Sequence, residues 1–98
     1  MAETEEKNCL QKALVVKNDL GLHARAAARI AQTVEKFDCQ VWLKKDGWEA
    51  EADSVLSILT LDAPMGSTLE VRVCGRDSQQ VLEALAELFA QGFGEKSE

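Results

Sequence analysis

The sequence predicts an α+β fold: an open-faced, two-layer β-sandwich with three helices over one face of a four-stranded antiparallel sheet. Three observations point there. The element order reads β-α-β-β-α-β-α. The strand-like runs are short and half polar, as expected of a sheet with one covered and one wetted face. Two of the helical runs carry a single apolar stripe, which needs a sheet to bury it.

The first strand lies within Gln11–Lys17, where Ala13-Leu14-Val15-Val16 is rich in β-branched residues. Asn18-Asp19-Leu20-Gly21 then breaks it with turn-forming residues. From Ala24 to Phe37 the apolar positions are Ala27, Ile30, Ala31, Val34 and Phe37, one face of a helix. Alanine-rich composition favours that helix. Arg25, Arg29, Gln32, Glu35 and Lys36 occupy its solvent face.

Cys39–Lys44 alternates and reads as a strand; Lys45-Asp46-Gly47 is a turn, and Trp48–Ala52 returns as its partner. Trp42 and Trp48 are expected to form a cross-strand pair. Asp53 or Ser54 caps a short helix running towards Leu61, and Pro64-Met65-Gly66 ends it. Leu69, Val71 and Val73 alternate with Glu70, Arg72 and Cys74 in a half-buried strand. Asp77 and Gln80 fit a capping box for the last helix. Its stripe is Val81, Leu82, Leu85, Leu88 and Phe89, and Gly92 closes it.

The chain has 98 residues, of which 46% are hydrophobic and 29% charged, so it accommodates one small core. Residues 10–94 are expected to form the domain, with an acidic tail over residues 1–9 and a second tail over residues 95–98. A net charge of -6 argues against a nucleic-acid partner. No apolar run approaches the roughly 18 residues of a membrane span, so membrane insertion is not expected. The acidic, polar N-terminus resembles no secretory signal, which points to the cytoplasm. Cys9, Cys39 and Cys74 are odd in number and widely spaced. They are expected to be reduced thiols, with no disulfide framework and no metal site. No cofactor is expected.

The stretch Gly21-Leu22-His23-Ala24-Arg25-Ala26-Ala27 contains the chain's one histidine, where a loop becomes a helix. The first N–H groups of a helix lack intrahelical acceptors, and the helix dipole favours negative charge there. A phosphoryl group carried on the imidazole would meet those donors, and the Arg25 guanidinium suits phosphate oxygens. Imidazole attacks through one nitrogen while the other keeps a proton. A histidine in this position also serves simply as a cap or a surface group, and spacing alone leaves both readings open. There is no second His, no Ser-His-Asp set and no Gly-rich phosphate loop, so a free-standing enzyme is disfavoured.

Gly21-Leu22-His23-Ala24-Arg25-x-Ala27 resembles the active-site motif of the HPr phosphocarrier family of the bacterial phosphotransferase system. The likeness spans about residues 11–94 and includes the element order and a Ser at the start of the second helix. It implies a sheet order of 1-4-2-3. It implies phosphorylation of His23, on Nδ1, by phosphorylated enzyme I, itself charged by phosphoenolpyruvate, and onward transfer to EIIA-type proteins in sugar transport. Arg25 would hold the phosphoryl group. The protein would be a stoichiometric intermediate, not an enzyme, and a monomer meeting its partners transiently.

Ser54 matches the family's regulatory serine, a substrate of a dedicated HPr kinase in some bacteria. It is equally a plain helix cap, and Asp53 precedes it where many members have Lys. Leu22, Val55, Leu56 and Leu59 are expected to form an apolar docking patch beside His23, while Ile58 and Leu61 enter the core. Ala26 stands where family members usually have Pro. Alanine keeps the helix and loosens the junction slightly. These departures motivate a second reading: a regulatory, nitrogen-type or non-sugar module that signals by docking and by phosphorylation at His23 or Ser54.

Overall fold

The computed structural model describes residues 9–95. Its elements are β1 (Cys9–Val15), α1 (Ala24–Glu35), β2 (Gln40–Lys45), β3 (Trp48–Glu51), α2 (Val55–Leu59), β4 (Thr68–Cys74) and α3 (Ser78–Ala90), then a 3-10 turn, Gly92–Gly94. The four strands form one antiparallel sheet in the order β1-β4-β2-β3. This is the expected architecture, with the central pair supplied by strands far apart in sequence.

Alternation builds the sheet's two faces. In β4, Leu69, Val71 and Val73 are fully buried, while Glu70 and Arg72 are exposed. Val41, Leu43 and Ala50 extend that buried face across β2 and β3. Onto it pack Ala27, Ile30 and Val34 of α1, Ile58 of α2, and Val81, Leu85 and Phe89 of α3. On the open face Arg72 lies 5.3 Å from the centroid of the Trp42 ring, a cation–π contact.

The hairpin register overturns the expected tryptophan pair. Asp46 and Gly47 both take positive φ, 52° and 85°, as a two-residue hairpin turn of the I′ kind requires. Lys45 then faces Trp48, and Trp42 faces Glu51. Trp42 is three residues from Trp48's partner, so the two rings fall on opposite faces of the sheet.

Three further expectations are corrected. β1 starts at Cys9, so the residue assigned to the end of the tail opens the sheet; residues 1–8 lie outside the described residues. Cys9 and Cys74 are directly opposed in the β1–β4 register and form a disulfide, so they are not reduced thiols. An odd cysteine count excludes a fully paired framework, not a single cross-strand pair. Cys39 is free and half-buried; burial, then Asp77 and Asp38, push its thiol pKa up, which favours the protonated thiol. Finally, Asp77 makes no side-chain cap on α3, because its carboxylate accepts from the Asp38 N–H at 2.8 Å and ties the α1–β2 loop instead.

None of the described helices is long and apolar enough to cross a membrane, and the described residues contain no cluster of potential metal ligands.

Candidate functional site

The loop before α1 is held from three sides. Leu22 N–H donates to Ala63 O at 2.9 Å, which docks the loop on the segment following α2. Gly21, at φ 70°, passes so close to that segment that a Cβ would stand 2.5 Å from Ala63 O. Here glycine is required by both conformation and space. Asn18 is 2% exposed, and its Nδ2 donates to Gly21 O at 2.8 Å.

This anchoring changes the role of Leu22. The residue is only 7% exposed and belongs to the core, so it does not contribute to a surface patch. Val55 is half-buried against the core, whereas Leu56 is 77% and Leu59 36% exposed. Leu20 and Met65, on the loops flanking the same region, are also exposed.

His23 is the N-cap of α1, with extended backbone at φ -79° and ψ -177°. Its backbone carbonyl accepts the first helical hydrogen bond, from Ala27 N–H at 2.9 Å. Its ring Nδ1 accepts from the Arg25 N–H at 3.3 Å, so the imidazole takes the place usually filled by a Ser or Asp oxygen. The first turn of α1 contains no acidic residue. Arg25 is exposed and Ala26 fully buried.

The other ring nitrogen is engaged by a residue that the linear pattern does not reveal. His23 Nε2 contacts the Glu95 carboxylate, and Glu95's other oxygen accepts from Asn18 Nδ2 at 2.9 Å. The Glu95 side chain is 10% exposed and that of His23 28%. Hydrogen bonding from Asn18, then from His23, and the nearby His23 and Arg25 charges hold the Glu95 carboxyl below its ordinary pKa, against an opposing effect of burial. Glu95, read as the first residue of the terminal tail, thus packs into the site. It is delivered there by the 3-10 turn, where Gly92, Phe93 and Gly94 all have positive φ. Phe93 is fully buried and meets Phe89 edge to face at 4.8 Å, and its carbonyl accepts from Arg29 Nη1. Arg29 therefore fastens this turn to α1, although its position suggested a solvent-facing charge.

Ser54 caps α2, its Oγ accepting from Ser57 N–H at 3.2 Å. α1 and α2 pack against each other.

The family model described as "PTS HPr component phosphorylation site" matches residues 10–91. The phosphocarrier protein HPr of Xylella fastidiosa strain 9a5c is 41% identical over 86 residues, covering 88% of this chain and 97% of that protein. The phosphocarrier protein NPr of Escherichia coli K12 is 38% identical over 87 residues, with the same shares covered. Among solved structures, HPr from Thermoanaerobacter tengcongensis superposes with a TM-score of 0.86 at 34% identity, over 90% of this chain and 99% of that one. With nearly the whole chain matched in sequence and fold, this protein belongs to the HPr family of phosphocarriers of the phosphotransferase system.

Proposed function

We propose that the chain accepts a phosphoryl group on His23 from phosphorylated enzyme I and passes it to an EIIA-type protein in sugar transport. The observation that supports this most directly is the ring itself. Its Nδ1 accepts from the Arg25 N–H in the opening turn of α1, with no carboxylate in that turn. A phosphoryl group formed on Nδ1 would take over the Arg25 N–H as a donor and gain the guanidinium. Little else is needed, because phosphoryl transfer depends chiefly on positioning and electrostatics. The protein is a stoichiometric carrier of the group and works in the cytoplasm, where its partners charge and discharge it.

The partner surface is the apolar ground of Leu56 and Leu59, flanked by half-buried Val55. A small exposed patch fits a brief encounter better than a stable complex. Ser54 is a second candidate phosphorylation site, where a phosphate would meet the opening N–H groups of α2. Purified HPr kinase and ATP should add one phosphate that is absent from Ser54→Ala; no difference between the two would leave Ser54 as a cap alone.

Incubation with phosphoenolpyruvate and enzyme I should add about 80 Da, an adduct lost in acid, as expected of an N–P bond, and absent from His23→Ala. No acid-labile adduct would overturn the proposal. The similarity to an NPr at 38% identity favours one second reading, a nitrogen-type regulatory carrier. Label passed from His23 to a sugar-type EIIA supports the first reading. Label passed only to a nitrogen-type homologue supports the second.

A further inference from the structure

We propose that Glu95 is a positioning residue for phosphoryl transfer: it holds the proton of His23 on Nε2, leaves the lone pair on Nδ1, and stabilises the imidazolium that forms as Nδ1 is phosphorylated. This rests on the carrier reading above. Two contacts on opposite sides of the ring demand the same tautomer. On one side Nδ1 faces a backbone N–H, that of Arg25, which can only donate; Nδ1 must therefore accept. On the other side Nε2 faces a carboxylate kept ionised by Asn18 and its neighbours, which can only accept; Nε2 must therefore donate. Neutral imidazole meets both demands in one form only, with hydrogen on Nε2.

The supporting groups are tied down in turn. Asn18 is buried and bridges Gly21 O, before the histidine, to Glu95 Oε1. Phe93, buried in a left-handed conformation that ordinary side chains avoid, is fastened by Arg29 and sets the direction in which Glu95 leaves the turn. Gly94 permits this, since a Cβ there would stand 2.7 Å from Arg29 Nη1. The carboxylate is thus presented by three separate parts of the chain.

In the transfer step the Nδ1 lone pair forms the new N–P bond, the bond between phosphorus and the donor atom breaks, and the donor atom keeps that electron pair. No proton need cross the interface. The ring, still protonated on Nε2, becomes cationic, and Glu95 lies against that proton. This is the general use of a carboxylate behind a reacting imidazole: it fixes tautomer and orientation and stabilises the cation. In the reverse direction, with Glu95 still on Nε2, the ring leaves as the neutral, correctly protonated acceptor.

The test combines imidazole NMR with transfer kinetics on the full chain. In wild type, the His23 ring should show a protonated Nε2, an unprotonated Nδ1, and a downfield, slowly exchanging Nε2–H. Glu95→Ala should lose the slow exchange and accept phosphoryl groups from enzyme I about tenfold more slowly or worse. Glu95→Asp should regain part of both. Glu95→Gln, which preserves volume, should also transfer slowly because it lacks the charge. Thermal melts show whether each variant is folded, and if Glu95→Ala is not, the Gln and Asp variants decide. Wild-type rates in folded Glu95→Ala or Glu95→Gln, or a wild-type ring protonated on Nδ1, would overturn the assignment of Glu95 while leaving the carrier intact. If wild type takes no acid-labile phosphoryl group at all, the carrier reading falls, and the role of Glu95 with it.

Discussion

Asn18 and Glu95 stand 77 positions apart in the sequence, yet the amide of one donates to the carboxylate of the other at 2.9 Å. That bond joins the loop entering α1 to the last described residue of the chain. It also explains the buried amide: Asn18 Nδ2 serves two acceptors, Gly21 O and Glu95 Oε1, while its own Oδ1 has no protein partner.

Asn18→Ala removes both bonds and leaves the Gly21 carbonyl with the His23 N–H, at 2.9 Å, in place of two donors. It should cost about 1–3 kcal/mol in denaturant unfolding. Because the Asn18 bond is the largest cause of the depressed Glu95 pKa, the variant should also bring that carboxyl back towards its ordinary value of 4.5. The sign for wild type follows from linkage. A carboxyl more acidic in the folded state adds stability above its unfolded pKa, and that contribution is lost as pH falls through the folded value. Wild-type stability should therefore decline below about pH 4.5 more steeply than that of Asn18→Ala, whose Glu95 has less to lose. Parallel stability–pH curves would contradict this.

Leu22 and Leu56 should separate core from docking surface. Leu22→Ala empties a 7%-exposed site and should destabilise by about 2–5 kcal/mol. Leu56→Ala, at a 77%-exposed position, should stay within about 0.5 kcal/mol of wild type. In the enzyme I reaction, Leu56→Ala should raise the carrier concentration needed for half-maximal rate and leave the maximal rate alone, because it alters encounter and not the ring. A fall in maximal rate would place Leu56 elsewhere in the mechanism.

Much of this fold is legible in the sequence, because its cause is local. The alternation of Leu69, Val71 and Val73 and the 3.6-residue stripe of α1 each identify a buried face from neighbours alone. The site is half legible for the same reason. His23 and Arg25 are adjacent to a helix start, and the helix supplies the chemistry. What was hidden depends on register or on distant closure. Trp42 and Trp48 are separated by counting across the Asp46–Gly47 turn. Cys9 and Cys74 meet because β1 starts at Cys9, ahead of its apolar run, and the register sets that first residue opposite Cys74; apolar patterning alone does not mark a polar strand start. Glu95 reaches His23 from 72 positions away through three successive positive-φ residues, of which the first, Gly92, read only as a helix stop.

Ala26 is the third residue of α1 and fully buried, and the first helical hydrogen bond belongs to Ala27. An N–H at the third position has no intrahelical acceptor, so Ala26→Pro sacrifices no rung of the helix. Proline also removes freedom from the unfolded chain, worth about 0.4–1 kcal/mol where the native backbone suits it. The variant should melt about 2–8 °C higher. It should still accept phosphoryl groups on His23. A lower melting temperature would show that the enclosed site lacks room for the ring.

The Cys9–Cys74 disulfide lies at the far end of β1 from the loop that carries His23. Cys9 opens the strand and Val15 closes it, a span of about 20 Å at the usual rise per residue. The bond spans 65 positions and ties β1, an edge strand among the described residues, to its neighbour β4. Closing a loop of that length restricts the unfolded chain, and its removal should cost about 2–4 kcal/mol. Reduced protein, or Cys9→Ser, should therefore unfold at lower denaturant than oxidised protein. The β1–β4 ladder and the α1 loop do not depend on the sulfur bridge, so phosphorylation of His23 should proceed at the same rate in both forms. A rate that changes on reduction would mean that β1 transmits the state of its first residue to the loop that follows its last. In a reducing cytoplasm the thiol form would dominate, and the carrier would then operate with its stability margin lowered and its chemistry intact.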